Sequence, residues 1–472
     1  MPSAFDVVVI GAGPAGAVAA LRAADLGART ALVARDRFGG MAANDGPVPV
    51  RTLAHAARLV REARQLDRYG ICAGEPVVDY PRLLARVREV VDHVGRESAL
   101  RGQCESAGVV IHENAGAARF VAPHTIETAN GLRLDAESIV LCTGGTNRRL
   151  SVPGVELTST HSDAWALTSV PPSMLVIGAG ATGVQVASIF HAFGTHVQLF
   201  QAGARILPTE DEDVAAEVTD AFRAAGITVR TDFGVIESFE KTASGLRMIV
   251  SRDGDRSTAE AALAVVAIGW VANTAELGLD VAGVAADERG RVRVDDYLRT
   301  SAPHVFAAGD VTGHLMLVPQ ALEEGYVAGT NAVRGAVLPR TEHVSPIGSF
   351  TDPEYAQVGL GEAQARAELD ALVTVIRLDA GTRAIIDGRT SGFCKLIVDR
   401  TTSRVVGCHV VGDRAVDIVQ LAAIAISAGM TVDELARVPF SFPTYAGVLG
   451  RAATTAARTL RRDRAWRAPD VE

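Results

Sequence analysis

The stretch DVVVIGAGPAG, Asp6 to Gly16, confines this chain more than any other: an apolar run of strand character breaks into glycines and opens at once into a helical pattern. Strand, glycine turn and helix N-terminus in that order form a phosphate cradle. Gly11 allows the tight turn, Gly13 removes the side chain that would block a pyrophosphate, and Gly16 lets the helix pack against the strand. Pro14 and Ala15 stand at the helix opening, where unpaired N–H groups and the positive end of the helix dipole face an anion. The pattern recurs about 165 residues downstream in MLVIGAGATG, Met174 to Gly183, with Gly178, Gly180, Thr182 and Gly183. One such loop is weak evidence, because packing alone also selects glycine turns. Two in one chain point to two dinucleotides and two α/β lobes.

A length of 472 residues fits about three domains of ordinary size. A net charge of −9 with no long basic run gives no electrostatic reason for a nucleic acid or an anionic membrane as partner, so small molecules are the expected ligands. No apolar run reaches the length of a membrane span, and MPSAFDVVVI enters strand too early for a signal peptide; a cytoplasmic protein is expected. Cys72, Cys104, Cys142, Cys394 and Cys408 are scattered without metal-ligand or redox spacing, as reduced core thiols would be, so neither a metal site nor a redox disulfide is expected.

After the strand Thr30 to Val33, a dinucleotide fold often carries an acid for the adenosine ribose. Ala34 stands there; Asp36, two residues on, reads equally as its substitute or as a solvated turn residue. GGMAANDGPVPVR, residues 39–51 and including Gly40 and Met41, reads as a loop running into a helix with Leu53, Ala56, Ala57, Val60 and Ala63 at helical spacing. A second amphipathic helix from Tyr80 carries Leu83, Val87, Val90 and Val94. The strand in HVQLFQAGARIL ends at Gln201, where an NAD site would show an acid. Without that carboxylate a 2′-phosphate is not repelled, and Arg205 reads either as its partner, which favours NADPH over NADH, or as a surface residue.

The motifs in order are GAGPAG, the GG loop, SIVLCTGG (Ser138 to Gly145), GAGATG, AVVAIGWVANT (Ala264 to Thr274), TSAPHVFAAGD, ending at Asp310, and FPTYAG (Phe442 to Gly447). In that order they resemble the flavoprotein disulfide reductases, a family that includes lipoamide dehydrogenase, glutathione reductase and mercuric reductase. The resemblance covers nearly the whole chain. It implies an α/β fold of two Rossmann-like dinucleotide-binding domains plus a C-terminal α+β dimerisation domain. The expected bounds are 1–154 with 275–340 for FAD, 155–274 for NADPH or NADH, 344–458 for the homodimer interface, and a frayed tail from 459 to 472. It further implies that Thr143, Gly144 and Gly269 mark the two crossovers between the domains. Asp310, after Gly309, would accept hydrogen bonds from the flavin's ribityl chain, and the helix at Leu317 and Ala321 would aim its N-terminus at the isoalloxazine.

The departures from the family pattern are concentrated in one place. In GGTCxxxGCxPxK the two cysteines become Ala42 and Pro47, so no thiolate forms there, and the lysine beside the flavin becomes Arg51. Its glutamate partner becomes Gln185. In the HPTxxE motif that reaches the partner subunit, histidine and glutamate become Phe442 and Gly447, and the adjacent Ser441 is a poor proton shuttle. Trp270 stands where the family often has arginine, and reads equally as packing. The expectation is a flavoenzyme that keeps NAD(P)H-to-flavin transfer and has changed its acceptor. The acceptor site would be lined by Met41, Ala42, Asn44 and Pro47 and closed by Phe442 and Tyr445 from a twin, although Phe442 reads also as a mere filler of the vacated space. The leading reading is electron delivery to a small organic acceptor such as a quinone. The alternatives are an oxidase or dehydrogenase of a specialised metabolite, a flavin-bound regulatory protein without catalysis, and disulfide reduction by a distant cysteine pair.

Overall fold

Val7, Val8, Val9 and Ile10 are almost free of solvent, so the first strand, Phe5–Ile10, is buried on both faces as the centre of a parallel sheet must be. It lies between Thr30–Val33 and Arg133–Leu141, parallel to both, with Val8 opposite Ala31 and Ile139. Val110–His112 and Val305–Ala307 extend this sheet in parallel on its two sides. The computed structural model describes residues 5–341 and 344–465. The helix Pro14–Asp25 packs against Val318–Arg334 so closely that a Cβ on Gly325 would stand 2.2 Å from the Ala15 carbonyl oxygen. Residues from both ends of the first lobe therefore meet around one cradle.

A second parallel sheet holds Thr228–Thr231, His196–Gln201, Ser173–Ile177 and Leu263–Val266, in that order. The two lobes are joined by the short antiparallel pair Gly145–Asn147 and Trp270–Ala272, so both crossovers run side by side. The third lobe is an antiparallel sheet ordered Ile347–Ser349, Tyr355–Gly359, Val405–Val411, Phe393–Asp399 and Ala371–Arg377, backed by the helices Ala415–Ser427 and Gly447–Ala465. Ion pairs fix it to the rest. Lys395, 1 % exposed, reaches Asp211 at 2.7 Å and Asp213 at 2.6 Å in the second lobe, and Arg61 meets Asp352 at 2.9 Å. Among the described residues no helix is long and apolar enough to cross a membrane.

Three details differ from the sequence reading. Residues 39–51 are largely helical rather than a loop: Gly40–Asn44 forms a short helix and Pro47–Ala63 a long one. Pro47 opens that helix at a position whose N–H has no intrahelical partner anyway, so the prolines do not break it. The helix Tyr80–Arg96 buries Tyr80, Leu84 and Val87, leaving Val94 exposed, because it packs against Leu53 and Phe190 with a face rotated from the one expected. The C-terminal helix runs through Leu460, which is buried, and Arg461 pairs with Asp433 at 2.6 Å, so the segment expected to fray from 459 begins as helix. The remainder of that expected tail, 466–472, lies outside the described residues.

Candidate functional site

The two cradles repeat one geometry. Gly11 has φ +104° and Gly178 φ +97°, both in the region that favours glycine, and a Cβ at either would clash with a carbonyl oxygen of the neighbouring strand's exit, at 2.2 and 2.4 Å. Gly16 and Gly183 lie against the carbonyls of Gly11 and Gly178. The middle glycines face open space: a Cβ on Gly13 would meet nothing nearer than 4.0 Å and one on Gly180 nothing within 4 Å, which is the room a pyrophosphate needs.

A cavity of about 1180 Å³ runs from the first cradle to the second lobe. Gly13, Pro14, Ala15 and Asp36 line one end; Thr143, Gly144, Gly309, Asp310, Leu317 and Ala321 line its body; Thr182 and Gln185 reach it from the second lobe. Asp36 is exposed at the rim, while Ala34 is buried at the strand end. Burial, and then the nearby Glu324 carboxylate, raise the pKa of Asp310. Glu324 is fully buried and accepts from Gly309 N at 2.7 Å, which holds the backbone before Asp310 in place. Leu317 caps Val318–Arg334, and Leu317, Val318, Pro319 and Ala321 line the cavity, so the N-terminus of this helix lies at its wall. A long cavity with one open cradle, a carboxyl at mid-length and a helix N-terminus beyond it fits FAD.

Between the lobes the wall is made by 40–51: Met41, Ala42, Asn44, Asp45, Pro47 and Arg51 all line the cavity. The Asn44 amide is spent on Phe38 O and Gly40 O at 3.1 and 2.8 Å, closing its own turn. Arg51 does not meet Gln185 directly. Its guanidinium carbon stands 3.1 Å from the centroid of the Phe350 ring, while Gln185 accepts from Phe350 N at 3.5 Å and donates to Ala181 O at 3.0 Å. Phe350, which sequence reasoning missed, thus links the two positions. Arg51 Nη1 is buried without a hydrogen-bond partner among the described residues, and burial lowers the pKa of the group to about 10, against the pull of Glu354. A buried cation without a bonded anion costs free energy that a bound anion would recover.

A second cluster was also missed. THSDAW folds into one helical turn, His161–Trp165, fixed by a capping box between Thr160 and Asp163 and by Ser159, which bonds Ala264 O and Val266 N at 2.8 Å each. His161 is 2 % exposed and lines the cavity, yet neither ring nitrogen has a hydrogen-bond partner among the described residues; nor has Trp165 Nε1. Its Nε2 lies 4.0 Å from Asp45 Oδ2, the oxygen to which Ser162 Oγ donates at 2.5 Å. Trp270 meets the imidazole edge-on at 5.1 Å between centroids, so it both packs and lines the cavity. Burial lowers the His161 pKa, and Asp45 and then Asp163 oppose the shift. An unpaired buried polar group of this kind costs about 1–3 kcal/mol. The sequence signal was a Thr-x-x-Asp cap placing a histidine at a helix start just after a crossover.

Other expected residues stand elsewhere. Gln201 accepts from Ala179 N at 2.9 Å and so braces the second cradle. Arg205 donates to the carbonyls of Leu207, Glu210 and Pro208 at 2.8, 2.8 and 3.0 Å; a guanidinium committed to its own turn is not poised for a 2′-phosphate, which removes the residue behind the NADPH preference. Gly269, φ +105°, belongs to the return crossover, where its carbonyl accepts from Arg148 N at 3.0 Å, and does not line the cavity. Phe442 and Tyr445 line a separate cavity of about 390 Å³ in the third lobe. Phe442 is 83 % exposed, whereas Tyr445 is half-buried against its own lobe's core, so its ring is not the free stacking surface expected. Cys394 and Cys408 are neighbours on adjacent strands, not scattered as their spacing suggested, but both are fully buried and free. Among the described residues no group of three or more His, Cys, Asp or Glu side chains is placed to hold a metal ion.

Comparison with known proteins agrees with this geometry. Residues 5–325 match the family model for pyridine nucleotide-disulphide oxidoreductase, and 345–453 match the dimerisation domain of the same family, which supports a homodimer. The chain is 32 % identical over 464 residues to dihydrolipoyl dehydrogenase 2 of Haloarcula marismortui, covering 96 % of each chain. It is 31 % identical to a mercuric reductase of Bacillus cereus, covering 96 % of this chain and 71 % of that one. The solved structure of the HOCl-induced flavoprotein disulfide reductase RclA from Escherichia coli superposes with a TM-score of 0.84 at 25 % identity, over 95 % of this chain and 99 % of that one.

Proposed function

Because the chain belongs to the pyridine nucleotide-disulphide oxidoreductase family, whose members use FAD and NAD(P)H, we propose that it passes electrons from NAD(P)H through FAD directly to a flat organic acceptor such as a quinone. The observation that carries this reading is the cavity wall at 40–51. Ala42 and Pro47 stand where the family pattern has its cysteine pair, and the one cysteine among the described lining residues, Cys142, is a thiol whose pKa burial pushes up. Neither arrangement supplies a thiolate for disulfide exchange. The relatives named above are, by name, a dihydrolipoyl dehydrogenase, a mercuric reductase and a flavoprotein disulfide reductase, so the proposed difference rests on these positions.

The open first cradle, Asp310 and the amides after Leu317 would hold FAD, and the open second cradle at Gly180 the nicotinamide nucleotide. When bound, FAD supplies the two-electron step between nicotinamide and acceptor. Arg51, cationic below a pH of about 10 and without a hydrogen-bonded carboxylate, stabilises negative charge that develops in the cavity. Small residues at Ala42 and Gly46 leave room for a planar ligand, and the exposed Phe442 is the side chain that a second copy would contribute to cover it. Leu421 and Ile424, exposed on the helix Ala415–Ser427, are apolar surface that a second copy would bury. Anaerobic mixing with NADPH and with NADH, followed by quinones, oxygen and lipoamide, tests the proposal. Bleaching of the flavin by a reduced nicotinamide and rapid recovery with a quinone are expected; turnover with lipoamide in preference to quinones would overturn it.

A further inference from the structure

Resting on that reading, we infer that His161, held beside Asp45 and Ser162, is the proton donor to the organic acceptor. The family pattern's histidine and glutamate are absent at Phe442 and Gly447, yet delivering a hydride to a quinone still requires one further proton. His161 is the imidazole on the cavity wall, 2 % exposed, with both nitrogens unpartnered among the described residues. The unpartnered Trp165 Nε1 beside it adds a second buried donor without an acceptor, which points to a polar ligand at this spot. Three separated segments assemble the cluster: Asp45 from the turn between Gly40–Asn44 and Pro47–Ala63, His161 and Ser162 from the capped turn, and Trp270 from the return crossover.

A hydride, two electrons with one proton, would come from the bound flavin to one carbonyl oxygen of the quinone, so that the cofactor is oxidised as the quinone is reduced. The N–H bond of the His161 imidazolium breaks, its proton forms the second O–H bond, and the ring is left neutral. Asp45, whose side chain is 39 % exposed, links the ring to solvent for reprotonation. The charged groups acting on His161 are the carboxylates of Asp45 and, on its own turn, Asp163. Neutral side chains also pack here: Trp270 edge-on to the ring, Phe190 through Trp165, and Val265 bridged to Ser159; Arg51 is a cation on the same cavity wall.

The test follows reoxidation of the NADPH-reduced holoenzyme by a short-chain benzoquinone from about pH 5 to about pH 9, with reduction by NADPH as internal control. In the wild type the reoxidation rate should fall as pH rises through a midpoint below that of an ordinary histidine. His161→Gln should lose that limb and about a hundredfold of the low-pH rate, the scale of general acid catalysis. Asp45→Asn should keep the limb but move it to lower pH, because one of the two carboxylates that favour the imidazolium is gone. Ring NMR of labelled histidine should show the same downward shift without turnover. A limb that survives in His161→Gln, or a midpoint unmoved in Asp45→Asn, would overturn the donor role while leaving the acceptor reading intact. A wild type that NADPH reduces but no quinone reoxidises would overturn the acceptor reading and the donor role with it.

Discussion

The cradles at Gly11 and Gly178 match one another to a few tenths of an ångström in the close approaches that forbid a side chain, whereas the segment from Gly40 to Arg51 departs from the family pattern at each reactive position. Phosphate binding is a demand on backbone: the turn, the open middle glycine and the helix N-terminus suffice for any chemistry downstream. Redox partnership is a demand on side chains, and those change without disturbing the turn beneath them. Ala42 lies in a short helix and Pro47 in the first turn of the next. On the proposed reading, the nucleotide cradles are kept while the acceptor changes.

The contrast can be broken most sharply at the second cradle. Gly180→Asp has space for its side chain, so the lobe should fold and FAD should remain bound, but a carboxylate would face the pyrophosphate. Flavin reduction at subsaturating nicotinamide should slow on the order of a hundredfold, about 3 kcal/mol, while dithionite reduction is unchanged; equal losses with both reductants would mean that the two cradles are not functionally separate. A smaller effect is expected from the wall's far side. Phe442→Ala should change quinone turnover about three- to tenfold, the range of one aromatic contact, with nicotinamide reduction held within about twofold. No change in either half would leave Phe442 as filler.

The smallest effect concerns Arg51. Arg51→Gln should lower the flavin midpoint potential by a few tens of millivolts, since about 30 mV corresponds to 1.4 kcal/mol for two electrons. Burial lowers the pKa of Arg51 against the pull of Glu354, and negative charge on a reduced flavin beside it would raise it again, so the difference between the two proteins should persist across neutral pH. Spectroelectrochemistry of both proteins checks this, and a raised or unchanged potential in the variant removes Arg51 from the site.

What could be read from the sequence was local. Gly11, Gly13 and Gly16 specify their cradle within a few residues, and Leu53 and Ala57 announce a buried helical face by spacing alone. What could not be read depends on partners distant in the chain. Arg51 and Phe350 belong to different lobes, and nothing near either predicts that a guanidinium will lie on that ring. Val94 follows an apolar stripe, but the helix is turned by its contacts with Leu53 and Phe190. Arg205 looked free because the three carbonyls it binds are backbone groups of a turn whose shape the residue letters do not give. His161 was passed over because its surroundings, Asp45 and Trp270, come together only when the crossovers pair.

An anaerobic dithionite titration of the purified holoenzyme, followed by its absorbance, counts the electrons the cavity wall can hold. With Ala42 and Pro47 at the wall and Cys142 a buried lone thiol, the flavin should bleach fully on one two-electron equivalent per FAD, with no long-wavelength thiolate-to-flavin band on the way. Uptake of a second equivalent before bleaching is complete, with such a band, would show a redox-active disulfide at work and contradict the account.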